Sequence, residues 1–186
     1  MSKFVPAHFS APESAALGGL FLLQGLGPQH ADADFAAVRD SADHIRHVFG
    51  PDNGWPAAEM SFEDNLADLQ RHAQEFEERR AFNYALLSAE GNDYLGCLYI
   101  KPIKSRLAVD ARRERFQAQA FFWLRHPLPA SSPDLDADTV LRQLQAWLAR
   151  DWPFRPGAVA FPGRVQGWAE WAAMASGADV CGAAGN

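Results

Sequence analysis

Cysteine is nearly absent: Cys97 and Cys181 are the only two in 186 residues. Two thiols cannot build a disulfide framework, and there is no C-x-x-C, which is compatible with a reducing cytoplasm. Basic residues are outnumbered, 17 against 23 acidic ones, for a formal net charge of -6. That balance disfavours a nucleic-acid partner, which needs a basic face to neutralise phosphates. The local cluster Arg112, Arg113 and Arg115 has the plainer reading of a solvated loop. No apolar run approaches the ~18 residues that span a bilayer. The N-terminus, MSKFVPAHFS, has neither the apolar segment nor the cleavage site of a secretory leader. A cytoplasmic protein without membrane association is therefore expected. Also missing are G-x-S-x-G, G-x-x-x-x-G-K-[ST] and G-x-G-x-x-G, which removes the commonest nucleophile-elbow and nucleotide-binding readings.

What is present is core material. Hydrophobic residues make up 48% of the chain and aromatics 12%, with 13 Phe and six Trp. A chain of this length buries a sizeable core without disulfides or metal. The period of that material changes along the chain. Residues 17–26, with Leu20, Phe21, Leu22 and Leu23 among glycines, read as one buried strand. Phe35, Val38, Ala42, Ile45 and Phe49 then follow helical spacing over 34–49, with Asp32 or Asp34 available as N-cap and Gly50-Pro51 as the stop. A better-marked helix spans 61–80. Ser61 caps it, Glu63 and Asp64 sit at its positive end, and Phe62, Leu66, Leu69, Ala73 and Phe76 form its stripe.

From Phe82 the period falls to two. AFNYALLSA and YLGCLYIKPI read as the strands of an antiparallel hairpin turned by EGND. FQAQAFFWLR is a third strand of that sheet. A helix over 138–150 follows, with Val140, Leu141, Leu144, Trp147 and Leu148 facing inward, and is broken by Pro153 and Pro156. A short strand, AVAF, comes next. The remaining residues hold Trp168 and Trp171 one helical turn apart and end Ala- and Gly-rich. His44, His47 and Asp40 share a helical face, for which a solvated surface is the plainer reading than a metal site. No metal is expected, and His72 has no evident partner.

The order strand, helix, helix, strand, strand, strand, helix, strand resembles that of the GNAT (acetyl-CoA-dependent N-acetyltransferase) superfamily. The segment FEDNLADLQRHAQEFEERRAFNYALLSAEGNDYLGCLYIKP is similar to the second helix and paired strands of many bacterial members. Leu95, Gly96 and Tyr99 match their L-G-x-x-Y strand, which lines the acceptor cleft. The resemblance covers roughly residues 15–161. It implies an α+β fold with a mixed, mostly antiparallel sheet, a GNAT-like domain over 1–163 and a helical or flexible tail over 164–186.

The resemblance further implies acyl transfer from acetyl-CoA to the amine of a small molecule or peptide. A backbone N–H at the end of the third hairpin-sheet strand would polarise the acyl carbonyl, and the matching donor-binding stretch is Trp123, Leu124, Arg125 and His126. Glu59 and Tyr99 are the candidates for base and substrate orientation.

Two departures stand against it. The family's Q/R-x-x-G-x-G/A loop corresponds to HPLPASSPDLDADT, which has no glycine, three prolines and three aspartates. Pro127, Pro129 and Pro133 remove N–H donors, and Asp134, Asp136 and Asp138 bring negative charge to a phosphate site, one of them as a helix cap. All three tyrosines, Tyr84, Tyr94 and Tyr99, precede the last core helix, after which the family carries a proton-donating Tyr. The alternative is a GNAT-shaped protein that binds a small molecule or peptide without catalysis, having lost acetyl-CoA. A further reading is an interaction module that forms a homodimer through Trp168 and Trp171.

Overall fold

The computed structural model describes residues 4–177. Cys181 and the end of the expected tail lie outside them. A six-stranded sheet runs in chain order: β1 (Ser14–Leu17), β2 (Phe21–Gly25), β3 (Phe82–Ser88), β4 (Tyr94–Lys101), β5 (Ala118–Leu124) and β6 (Val159–Ala160). Every neighbouring pair is antiparallel except β5 and β6, which are parallel. A parallel pair needs a crossover, and α4 (Ala137–Asp151) supplies it. The other helices are α1 (Ala31–Ile45), α2 (Phe62–Glu77), the single turn α3 (Arg112–Arg115) and α5 (Trp168–Ala175). The fold is α+β, a mixed and mostly antiparallel sheet flanked by helices.

The apolar stretch expected as one strand is a hairpin. Gly18 and Gly19 adopt φ of 60° and 67°, the left-handed pair at the centre of a tight mirror-image turn. Leu20 N–H closes the turn on Leu17 at 2.9 Å. α2 is capped as expected: Ser61 Oγ accepts from Asp64 N at 3.1 Å, and Asp64 answers Ser61 N at 3.1 Å. α1 starts earlier than its apolar spacing indicated, at Ala31, and neither Asp32 nor Asp34 caps it; the N-cap is His30, with no side-chain bond.

Both sheet faces are covered. Phe21, Leu23, Phe82, Tyr84, Leu98, Ile100 and Phe122 pack with Leu144, Trp147 and Trp152 on the α4 side. Cys97, Tyr99, Phe121 and Trp123 pack with Val38, Ile45 and Leu69 on the side of α1 and α2. One irregularity decides which β4 residues face which way. The register with β3 steps from Leu86↔Gly96 to Leu87↔Tyr94, leaving Leu95 extra. This bulge lets Tyr94 and Cys97, three apart, share a face, where alternation would separate them. Gly96 is required there: its φ is 148°, and a Cβ would stand 2.0 Å from the Trp123 carbonyl oxygen.

The cluster Arg112, Arg113 and Arg115 is not a free basic patch. Arg112 pairs with buried Asp110 at 2.5 Å and lies over the Trp171 ring, and Arg113 donates to the Ile103 carbonyl. Trp168 stacks on Phe121, with centroids 6.3 Å apart, and Trp171 is buried against Phe116. The indoles offered as a dimerisation surface are used within the chain. Among the described residues, no helix is long and apolar enough to cross a membrane.

Candidate active site

Buried polar residues gather where α1 and α2 cross β4. Asp34 sits one turn into α1 and is 3% exposed. Its Oδ1 accepts from Tyr94 Oη at 2.6 Å and lies 3.4 Å from Cys97 Sγ, and Sγ is 2.9 Å from Tyr94 Oη. The bulge at Gly96 makes this trio possible. Burial pushes the Asp34 carboxyl above its usual range, with hydrogen bonding from Tyr94 as the main opposing influence. Burial also pushes the Cys97 thiol well up, so it remains a thiol and not a nucleophile. Across from Asp34, Asn65 of α2 is 3% exposed; its amide faces the carboxylate and joins Tyr94 in opposing the upward shift, and its Nδ2 makes no well-formed hydrogen bond among the described residues.

Two turns along α2, His72 acquires the partners that its spacing did not reveal. Asn83 Nδ2 of β3 lies 3.1 Å from His72 Nδ1 and 3.2 Å from Glu75 Oε2, bridging the two. Burial first, and then the nearby ammonium of Lys101, hold His72 at about 4. It is therefore neutral at pH 7, and its 3.3 Å contact with Glu75 is not an ion pair there. His72 Nδ1 thus stands between the Asn83 amide and the Glu75 carboxylate, 3.1 and 3.3 Å away. Lys101, at the end of β4, has its Nζ 5.0 Å from the Tyr99 ring centre and 5.4 Å from that of Phe49. Among the described residues no carboxylate comes within salt-bridge distance of it. Burial lowers its pKa.

Two cavities flank these groups. One of about 330 Å³ is lined by Asp34, Asn65, His72, Tyr99 and Lys101, with Phe49 and Trp55 from the loop joining α1 and α2. The second, of about 360 Å³, opens where β5 and β6 part. Those strands pair only at Ala118↔Val159 and Gln119↔Ala160, so among the described residues the β5 edge beyond Gln119 is left without a strand partner. Paired rings separate the cavities, Phe121 and Trp123 on one side and Phe49, Trp55 and Tyr99 on the other: Phe49 lies 5.5 Å from Phe121, Trp55 lies 6.1 Å from Trp123, and Trp123 Nε1 donates to Tyr99 Oη at 3.1 Å.

The residues expected to form the site are dispersed. Tyr99 and Trp123 are in contact and both buried. Trp123 turns its carbonyl toward β4 at Gly96. Phe122 presents its carbonyl to the open edge, where Arg164 Nη2 donates to it at 3.0 Å. The N–H of a strand residue leaves on the same edge as its carbonyl, so the Phe122 and Leu124 N–H groups face the second cavity. Arg125 pairs with Asp40 at 2.7 Å, the His126 N–H donates to Ser41 Oγ at 2.8 Å, and its ring stacks on His44 at 3.7 Å. Both residues thus turn toward α1. Glu59 is exposed on the loop before α2. Sequence reasoning missed Asp34, Asn65 and Lys101.

The acyl-pantetheine arm of acetyl-CoA fits the open β5 edge by volume, since pockets of about 300 Å³ and more hold small ligands. The diphosphate does not fit a cradle at α4. Asp136 caps that helix, taking Thr139 N–H at 2.6 Å, and the preceding loop has no glycine.

The order of strands, the crossover and the parted β5 and β6 define a GNAT fold. Solved acetyltransferases share it. The ribosomal L7/L12 α-N-protein acetyltransferase RimL in complex with coenzyme A aligns at a TM-score of 0.54 and 17% identity over 74% of this chain and 66% of that one. The Salmonella typhimurium acetyltransferase that modifies the N-terminal serine of L7/L12 aligns at 0.53 and 15% over 75% and 71%. The microcin C7 self-immunity acetyltransferase MccE, in complex with acetyl-CoA and AMP, aligns at 0.54 and 10% over 76% and 71%. The match thus spans about two thirds of RimL's length. No protein-family model matches the chain, and no curated protein matches it in sequence.

Proposed function

We propose that the protein is an N-acyltransferase that moves an acyl group from acetyl-CoA to the amine of a small molecule or peptide. The observation that carries this reading is the β5 edge left open among the described residues, with its own cavity, across a wall of paired aromatic rings from a second cavity lined by buried polar groups. In this reading the thioester lies along the edge of β5, and the Phe122 or Leu124 N–H polarises its carbonyl. Asp34, not the exposed Glu59, accepts the proton of the acceptor ammonium. Its raised pKa makes it a stronger base than a solvated carboxylate. Tyr99 orients the acceptor from the strand between the cavities. Attack requires the rings between the cavities to part; the amine then adds to the carbonyl carbon, the C–S bond breaks, the nitrogen sheds its second proton to solvent, and the departing thiolate takes one up. The reaction is assigned to a reducing cytoplasm, in which Cys97 stays free.

The test is acetyl-CoA-dependent release of free thiol across a panel of amines, with wild type and Asp34→Asn. Amine-dependent release that falls at least about a hundredfold in the variant supports the reading. No release with any amine would leave the second reading, a GNAT-shaped binding protein without catalysis. The glycine-free loop and the Asp136 cap favour that one.

A further inference from the structure

The cavity between α1, α2 and β4 carries more recognition chemistry than an amine alone requires. At one end Asp34 supplies a carboxylate. Beside it, the buried Asn65 amide faces the Asp34 carboxylate, and its Nδ2 makes no well-formed hydrogen bond among the described residues, so that a ligand acceptor would complete it. At the other end Lys101 is a largely buried ammonium held by ring faces alone. Exposed Lys104 lines the same wall. Arg71 is already committed to Asp68 at 2.7 Å. The unmet needs of the cavity are therefore an anion at Lys101, a hydrogen-bond acceptor at Asn65 and a cation at Asp34.

Asp34, Asn65 and Lys101 line one cavity of about 330 Å³, at the small end of the range that holds a ligand. An extended dipeptide, about 7 Å long, is of that scale, and its single internal carbonyl lies beside the amine.

We propose that the acceptor is a small, dipeptide-sized amine carrying a free carboxylate. Asp34 receives the ammonium, Asn65 donates to the carbonyl next to it, and Lys101 holds the carboxylate. This deepens the acyltransferase reading and rests on it for the word acceptor, whereas the binding itself needs no thioester. An internal stretch of a longer peptide brings no terminal carboxylate to Lys101.

The test is calorimetric titration of the full chain, with no thioester present, using Ala-Ala, its C-terminal amide and N-acetyl-Ala-Ala. Ala-Ala is expected to bind at least about tenfold more tightly than either derivative. Lys101→Gln should lower its affinity to that of the amide while leaving the amide unchanged, and Lys101→Arg should restore it. Equal binding of acid and amide to wild type overturns the proposal, as does failure of Ala-Ala to bind. If Lys101→Gln does not fold, the wild-type comparison alone decides. Thiol release with simple amines is scored separately, so loss of this proposal and loss of acyl transfer are told apart.

Discussion

His72 is the group whose environment makes the sharpest quantitative prediction. Buried beside Asn83 and near Lys101, it falls from 6.5 to about 4 on folding. The unfolded chain therefore takes up this proton first as pH drops. Above about 6.5 neither state holds it and stability is unaffected. Between there and about 4 the unfolded state gains and stability declines, and below that the loss is complete. The full loss is about 3 kcal/mol, and about 2 kcal/mol of it falls between pH 7.5 and pH 5. Urea unfolding of wild type and His72→Asn, measured at half-unit steps across that range, isolates the effect. His30, also lowered by burial, and Asp34, raised by burial, are common to both proteins and cancel. Asn keeps a polar partner for Asn83, so the variant is expected to be less stable at pH 7.5 but flatter in pH. The two midpoints should converge by about 1 M urea toward pH 5. Parallel pH profiles would refute the reasoning, because His72 would then be equally protonated in both states.

Other consequences follow from single contacts. Gly96→Ala drives a Cβ to 2.0 Å from the Trp123 oxygen at a φ of 148°, so thermal unfolding should report a loss above about 3 kcal/mol or no folded protein; a near-neutral change contradicts the assigned bulge. Asp136→Ala removes the α4 cap, so the melting temperature should fall while acetyl-CoA affinity rises several-fold through the freed Thr139 N–H; a fall in both contradicts the account of the loop. Arg164→Ala clears the guanidinium from the Phe122 carbonyl and should tighten thioester binding. Weaker binding would mean that Arg164 contacts the donor.

Much of this architecture was legible in the order of residues. Ser61 with Asp64 three residues on, and the alternation either side of Glu90–Asp93, are local signals, and local hydrogen bonds decide those elements. The hairpin at Gly18–Gly19 was hidden because Leu17 to Leu26 is almost continuously apolar, and two left-handed glycines inside such a run leave the mean pattern unchanged. The polar site was hidden for a different reason. Asp34, Asn65 and His72 occupy buried positions of α1 and α2 that a count of apolar residues assigns to Phe35, Leu66 and Ala73 one position along. Their burial is tolerated because partners arrive from distant strands: Tyr94 for Asp34 and Asn83 for His72. The bulge that turns Tyr94 and Cys97 to one face involves Gly96, which the L-G-x-x-Y resemblance had marked without giving its mechanical role. The donor-loop departures were readable at once, since the absence of glycine and the capping aspartate are properties of the residues themselves.

Calorimetric titration with acetyl-CoA and with S-acetylpantetheine, desulfo-CoA serving as control, tests the central claim most directly. The open β5 edge accommodates the acyl-pantetheine arm, and the capped α4 offers the diphosphate little. Both thioesters should therefore bind in the micromolar range, within about tenfold of each other. Failure of both to bind at millimolar concentration would contradict the assignment of a donor site, and with it the acyltransferase.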